Sequence, residues 1–206
     1  MNIKKLIGLL MFLGLPFLFR FLPKGLIIHE IAFWFLFLII MLWIYFVEKR
    51  TVVSIGWKQL TIKTVFRGTG LGVVLFILFG VIMTGVQALG LPLNQEIGQL
   101  IASQPLPFLL LIVIRAAIVE EVLYRSYAYE RILELTKSKW IAAIIPVLIF
   151  MLAHLDWGLG HLIFVFFAGA LFMILYISKR NLGLLMIIHF TTDVLALLVL
   201  PMLVEA

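Results

Sequence analysis

Glu120 and Glu121 stand side by side in a stretch, Pro107 to Tyr124, whose only other charged residue is Arg115, and Arg125 follows Glu121 by four residues. Charged groups in such a run are costly if it lies in a membrane, and by default they are functional. Two carboxyl groups can serve as a general base or as a structural counter-ion. Successive residues of an α-helix point about 100° apart, so the two cannot face one partner and should have different jobs. Glu121 and Arg125 have the i,i+4 spacing that brings side chains together, and in a low-dielectric setting they should neutralise one another. A carboxylate paired in this way is a poor base. Glu120, without that partner, is the residue read as the water-activating base.

Later polar residues could complete such a site. His154 ends an apolar run, with Phe150 one turn before it, and His189 and Asp193 stand one turn apart in a later run. The i,i+4 spacing puts His189 and Asp193 on one face, where both could hold a metal or a water or bond to each other. The chain has no Cys, which removes disulfides, thiolate metal sites and a cysteine nucleophile. Ser126, Thr191 and Thr192 show no nucleophile–base pairing. Hydrolysis here would have to use carboxylates and imidazoles.

The elements that must position these residues are membrane helices. Of the 206 residues 65% are hydrophobic and 13% charged, against about 45 to 50% apolar content in soluble domains. The apolar runs are continuous rather than alternating, so the expected class is all-α, a polytopic bundle forming one membrane-embedded domain over 1–206. Seven transmembrane segments are predicted, about 6–22, 27–47, 70–89, 106–124 and beyond, 140–155, 162–177 and 182–203. Over 52–66, where Trp57, Leu60, Ile62 and Phe66 mix with Lys58 and Lys63, a possible amphipathic helix at the interface is read, with an ordinary connecting loop as the alternative. Lys4, Lys5, Lys49, Arg50, Lys58, Lys63, Arg67, Arg131, Lys137, Lys139, Lys179 and Arg180 fall on one side of this map, and only Arg20 and Lys24 on the other. The positive-inside rule then predicts an N-terminus in the cytoplasm and a C-terminus outside, and the small size without extra domains suggests an integral protein of a bacterial cytoplasmic membrane. The net charge of +6 is absorbed by this topology, and no nucleic-acid partner is indicated.

In order, the chain reads Glu120-Glu121-x-x-x-Arg125, Phe150-x-x-x-His154 and His189-x-x-x-Asp193, each in its own apolar segment. This resembles the three-motif signature of the CPBP family of intramembrane proteases, which includes the type II CAAX prenyl endopeptidases and the bacterial Abi and bacteriocin-processing or self-immunity proteins. The resemblance covers about 105–200, down to the aromatic Tyr124 before Arg125. It departs from the commonest pattern at Ser126, where Gly is usual, and at Asp193, where Asn is frequent. The resemblance implies that Glu120 and His154 activate a water for attack on a peptide carbonyl. It further implies that His189 and Asp193 stabilise the oxyanion or orient substrate, while Glu121 and Arg125 support the site. An ionised Asp193 donates no hydrogen bond, so it stays protonated, orients His189 or ligates a cation. Family descriptions often say metalloprotease, and His154, His189 and Asp193 could supply three ligands to a divalent metal such as zinc. Metal-free, glutamate-activated water is the other alternative; a compact His-Glu-x-x-His helix is absent.

The partners expected are a membrane-associated peptide or protein substrate and the lipid bilayer, with the oligomeric state left open. A non-catalytic immunity or scaffold protein on the same fold is the alternative function, and a proton-coupled transporter the third, though no internal repeat supports it. Arg115 is expected to pair with an acidic group, and His29, Glu30 and His161 to sit at interfaces. Trp57, Trp140 and Trp157 read as interface anchors. Counting about 1.5 Å per residue puts Glu120 and His189 in the cytoplasmic half but His154 nearer the outer face, a gap that tilt or a partly re-entrant fifth segment ending at 156–158 would close.

Overall fold

A computed structural model describes residues 3–23 and 25–204 of the chain, and the cation Lys24 lies outside them. The described chain is all-helical, 85% helix with no strand. Its helices are α1 (Ile3–Leu18), α2 (Leu26–Leu42), α3 (Ile62–Ala88), α4 (Gln95–Ala102), α5 (Leu106–Arg115), α6 (Tyr129–Thr136), α7 (Lys139–Leu152), α8 (Leu159–Lys179), α9 (Leu182–Val194) and α10 (Leu200–Val204). Helices α5 and α6 are joined without a break by a π-wound segment, Ala116–Ala128, and shorter π-wound stretches extend α2 to Val47 and α9 to Val199.

Four helical stretches among the described residues are long and apolar enough to cross a membrane: Leu26–Val47, Ile62–Ala88, Leu159–Lys179 and Leu182–Met202. The protein is therefore an integral membrane protein with at least these candidate spans. Three other predicted segments differ in kind. Helix α1 has 16 residues and contains Pro16. The α5–α6 helix carries the charged motif, and α7 has 14 residues. At 1.5 Å per residue α7 is about 21 Å long, short of the roughly 30 Å hydrocarbon core.

The predicted interfacial helix over 52–66 does not form. Val52–Ile55 is a single 3-10 turn, Trp57 to Thr61 is non-helical, and α3 starts at Ile62 with Thr61 as its cap, accepting from the Thr64 N–H at 3.2 Å. The cause is Gly56, at φ 76°, a left-handed backbone that favours glycine. A Cβ there would collide with the Tyr176 hydroxyl. The turn is instead docked on the α8–α9 connection, with Leu182 N–H donating to Gly56 O at 2.9 Å and Lys58 Nζ to Lys179 O at 3.0 Å. Conversely, Gln95–Ala102, between the predicted segments 70–89 and 106–124, is helical and capped by Asn94, whose side chain accepts from Glu96 N–H at 3.2 Å.

Small residues bring α3 onto α9. A Cβ on Gly68 would stand 2.6 Å from Ile187, and one on Gly72 would meet Thr191 at 2.5 Å and the Ile188 carbonyl at 2.9 Å. Close approach of this kind is what small residues supply in membrane bundles. Gly80, two turns further along α3, has nothing within 4 Å of a Cβ, so the two helices part above the contact and leave room for a cavity. Gly72→Val should cost about 1–3 kcal/mol through overpacking, read as a lower melting temperature in detergent, whereas Gly80→Val should leave melting unchanged.

One end of the bundle is tied by charge. Arg131, buried, bonds Glu48 at 2.7 and 2.6 Å and reaches the Ser54 carbonyl and hydroxyl at 3.2 and 3.0 Å. Glu134 pairs with Lys5 and with Arg50, and Glu130, also buried, accepts from Tyr176 at 3.0 Å and pairs with Arg180. At the other end the loop before α4 meets the turn after α7. Asn94 N–H donates to Trp157 O at 2.8 Å, Asn94 Nδ2 to Asp156 O at 2.9 Å and Gly160 N–H to Pro92 O at 2.9 Å.

Candidate active site

The motif residues gather around one cavity of about 420 Å³ whose wall includes Glu120, Arg125, His154, His189 and Asp193. The remaining lining is mainly apolar, with Phe76, Phe79, Phe164 and Phe172 prominent. The shortness of α7 accounts for His154 joining the others. Its helix ends before spanning the core, so the turn that follows sits lower than a full span would put it.

Glu121 is fully buried and lies behind this wall. Its Oε1 accepts from His189 Nδ1 at 2.7 Å and stands 3.3 Å from Arg125 Nη1. The Arg125 guanidinium, itself 1% exposed, lies 4.0 Å from the centre of the Phe150 ring and 5.4 Å from that of Phe172. Aromatic faces of this sort stabilise a desolvated cation. A Cβ on Gly169 would come within 3.2 Å of Phe150 and 3.5 Å of Arg125, so a small residue there leaves space for the stack. Glu121 Oε2 and Arg125 Nη1 have no hydrogen-bond partner among the described residues, which leaves the ion pair to hold both groups.

His189 is clamped between two carboxylates. Nδ1 faces Glu121, and Nε2 stands 3.3 Å from Asp193 Oδ2 across one helical turn. Both acceptors are satisfied together only by a ring carrying a proton on each nitrogen. Phe172 lies against the ring with centroids 4.9 Å apart. The His154 ring is fixed by its own backbone. Nδ1 is 2.9 Å from the Phe150 carbonyl, which can only accept, so Nδ1 carries the proton and a neutral ring keeps its lone pair at Nε2.

Glu120 requires a correction. Helix phase leaves it without a cationic partner, yet Arg115 Nη1 donates to its Oε1 at 3.0 Å, so the want of a cation does not set it apart from Glu121; its place on the cavity wall does. The segment that begins at Ala116 is π-wound, and its i→i+5 repeat brings residues five apart onto one face. Arg115 also donates from Nε to Glu30 Oε1 at 3.0 Å, and its Nη2 lies 2.9 Å from the same oxygen, with the guanidinium 4.7 Å from the Phe33 ring centre. Glu30 is consequently buried, not interfacial as its position at the start of α2 suggests. Glu120 Oε2 has no hydrogen-bond partner among the described residues and belongs to a side chain that lines the cavity.

His161 and Trp157 also differ from the interfacial reading. Both line the cavity, their rings stacked at 4.6 Å and 21°, and the His161 ring lies 5.8 Å from that of His154. Sequence spacing hides them, because residues 154 and 161 are separated by a turn and share no helical face.

Among the described residues, no group of three His, Asp or Glu side chains stands where it could share a metal ion. His154 keeps Nε2 free, but both nitrogens of His189 face carboxylates, and the three side chains do not converge on one point. The ligand set His154, His189 and Asp193 does not fit as placed.

Residues 102–195 match the family described as type II CAAX prenyl endopeptidase Rce1-like, a match that supports a CPBP family intramembrane protease. It spans all three motifs. No curated protein and no solved structure matches the chain.

Proposed function

Because residues 102–195 match the family described as type II CAAX prenyl endopeptidase Rce1-like, we propose an intramembrane endopeptidase that hydrolyses a peptide bond in a membrane-associated peptide or protein. The observation that carries this reading is the meeting of Glu120 and His154, each with a polar atom uncommitted to protein, at one largely apolar cavity.

Arg115 takes one oxygen of Glu120 and Glu30 anchors Arg115, so the carboxylate has a fixed direction and one oxygen for a water. His154, oriented by the Phe150 carbonyl, offers Nε2 as a second proton acceptor. The water attacks the carbonyl carbon and gives up its proton to this pair. The tetrahedral oxyanion then collapses, the C–N bond breaks, and the same proton passes to the departing amine. His189 Nε2–H is the donor placed to meet the oxyanion, in competition with Asp193, whose Oδ2 stands 3.3 Å from it at rest. Asp193 is thus read as an orienting acceptor, which requires no proton on its carboxyl group. A transition state of this kind is stabilised by preorganised donors in a site from which bulk water is excluded, a setting the apolar lining supplies.

The non-catalytic immunity or scaffold reading has no specific observation in its favour. The protein, purified in detergent and returned to liposomes, should cleave an apolar peptide. Because no three ligating side chains stand together among the described residues, activity should survive exhaustive chelation within about twofold. Loss on chelation with recovery on added zinc would overturn the metal-free reading and leave peptide hydrolysis standing.

A further inference from the structure

We propose that the cavity is served from the non-cytoplasmic side of the membrane, so that its substrate is an apolar, uncharged stretch of an exported or membrane-anchored polypeptide reached from the outer leaflet. This rests on the protease reading above and adds to it the side on which the bond is cut.

Twelve of the sixteen Lys and Arg residues belong to one end of the bundle. The ties there are between elements: Lys4 to the Val47 carbonyl, Lys5 and Arg50 to Glu134, Arg131 to Glu48, Lys58 to the Lys179 carbonyl, Arg180 to Glu130. By the positive-inside rule this basic end is cytoplasmic. At the opposite end the sequence has only Arg20 and Lys24, and Arg20 is paired with Asp156 at 2.8 Å.

The lining of the cavity reaches that opposite end. Met83 is near the C-terminus of α3, Gly98 and Ile101 belong to α4, Trp157 and His161 flank the α7–α8 turn, and Leu200 begins α10. On the cytoplasmic side the floor is filled. The Glu121–Arg125 pair is fully buried, Tyr127, Arg131 and Tyr176 are each fully covered one or more turns further down, and α3 and α9 touch through Gly68 and Gly72. A polypeptide approaching from the cytoplasm meets these layers first. One arriving from the other face meets an apolar rim that carries no cation among its described lining other than Arg115 and Arg125, both of which are paired inside. A charged residue at the cut would have to be desolvated there, which favours an apolar segment.

The absence of cysteine makes a direct test available. Gln99→Cys places a single thiol on exposed α4 and Lys139→Cys places one at the exposed start of α7, at the basic end. In intact cells a membrane-impermeant maleimide should label Gln99→Cys at least about tenfold more than Lys139→Cys, and permeabilisation should raise only the latter, as one-sided topology requires. The reverse pattern overturns the proposal. In parallel, one apolar reporter segment flanked by lysines to face either side should be cut only when it faces outward, and cutting of the inward-facing reporter overturns the proposal while the protease reading stands. If neither reporter is cut above the level of Glu120→Gln protein, the protease reading fails, and the labelling still decides which face the cavity serves.

Discussion

Glu121→Gln should cost about 3–5 kcal/mol, because removing one partner of a buried ion pair strands the other charge. Arg125 would keep its place between Phe150 and Phe172 with no counter-ion, and it is 1% exposed. Rings supply part of a cation's stabilisation, about 2 kcal/mol when desolvated, and cannot replace a carboxylate. The same substitution weakens the bond that fixes His189 Nδ1, since Glu121 Oε1 receives both partners. Against a total stability of about 5–15 kcal/mol this is a large fraction. The expected result is a sharp fall in folded yield and melting temperature, with Arg125→Met, which removes the cation and leaves Glu121 buried, falling similarly. The double variant Glu121→Gln/Arg125→Met should recover part of the loss, because no unpaired charge remains. A Glu121→Gln protein that melts normally and loses only turnover would mean that the two adjacent glutamates have been assigned each other's roles.

Glu120→Gln should do the opposite. The amide keeps the shape and can still accept a hydrogen bond from Arg115 through its carbonyl oxygen, so folding should be retained. Arg115 also keeps its second carboxylate, Glu30. What disappears is the anionic oxygen facing the cavity. Loss of a positioned general base costs about 10²- to 10⁴-fold in rate, and the loss should appear in kcat with KM little changed, since the apolar lining that would bind substrate is untouched. Turnover at the wild-type level would remove Glu120 from the chemistry.

The sequence made the helical class readable because continuous apolar runs leave few ways to satisfy a backbone in lipid. It also made the neighbours of Glu121 readable in part: the four-residue spacing to Arg125 is local, and local spacing survives folding. The bond from His189 to Glu121 was not, since 68 residues separate them. Nor was the partner of Glu120. An α-helical phase puts Arg115 and Glu120 off one another's face, and nothing in residue types announces thirteen π-wound residues. A charge inventory would have helped, because Glu30, Arg115 and Glu120 are apolar-run residues that had to pair somewhere. The segment 52–66 misled for a different reason. Its composition suits an interfacial helix, but Gly56 and the Tyr176 hydroxyl fix a turn, and that contact crosses 120 residues of chain.

Joint activation of one water by Glu120 and His154 is tested most directly by a double-mutant cycle on cleavage of a single peptide in liposomes, with Glu120→Gln, His154→Ala and the two combined at equal folded concentration. Residues that act as a unit are strongly non-additive, so the combined variant should be no more than about threefold slower than the slower single variant. Losses that multiply in full would show two independent contributions and contradict a shared water.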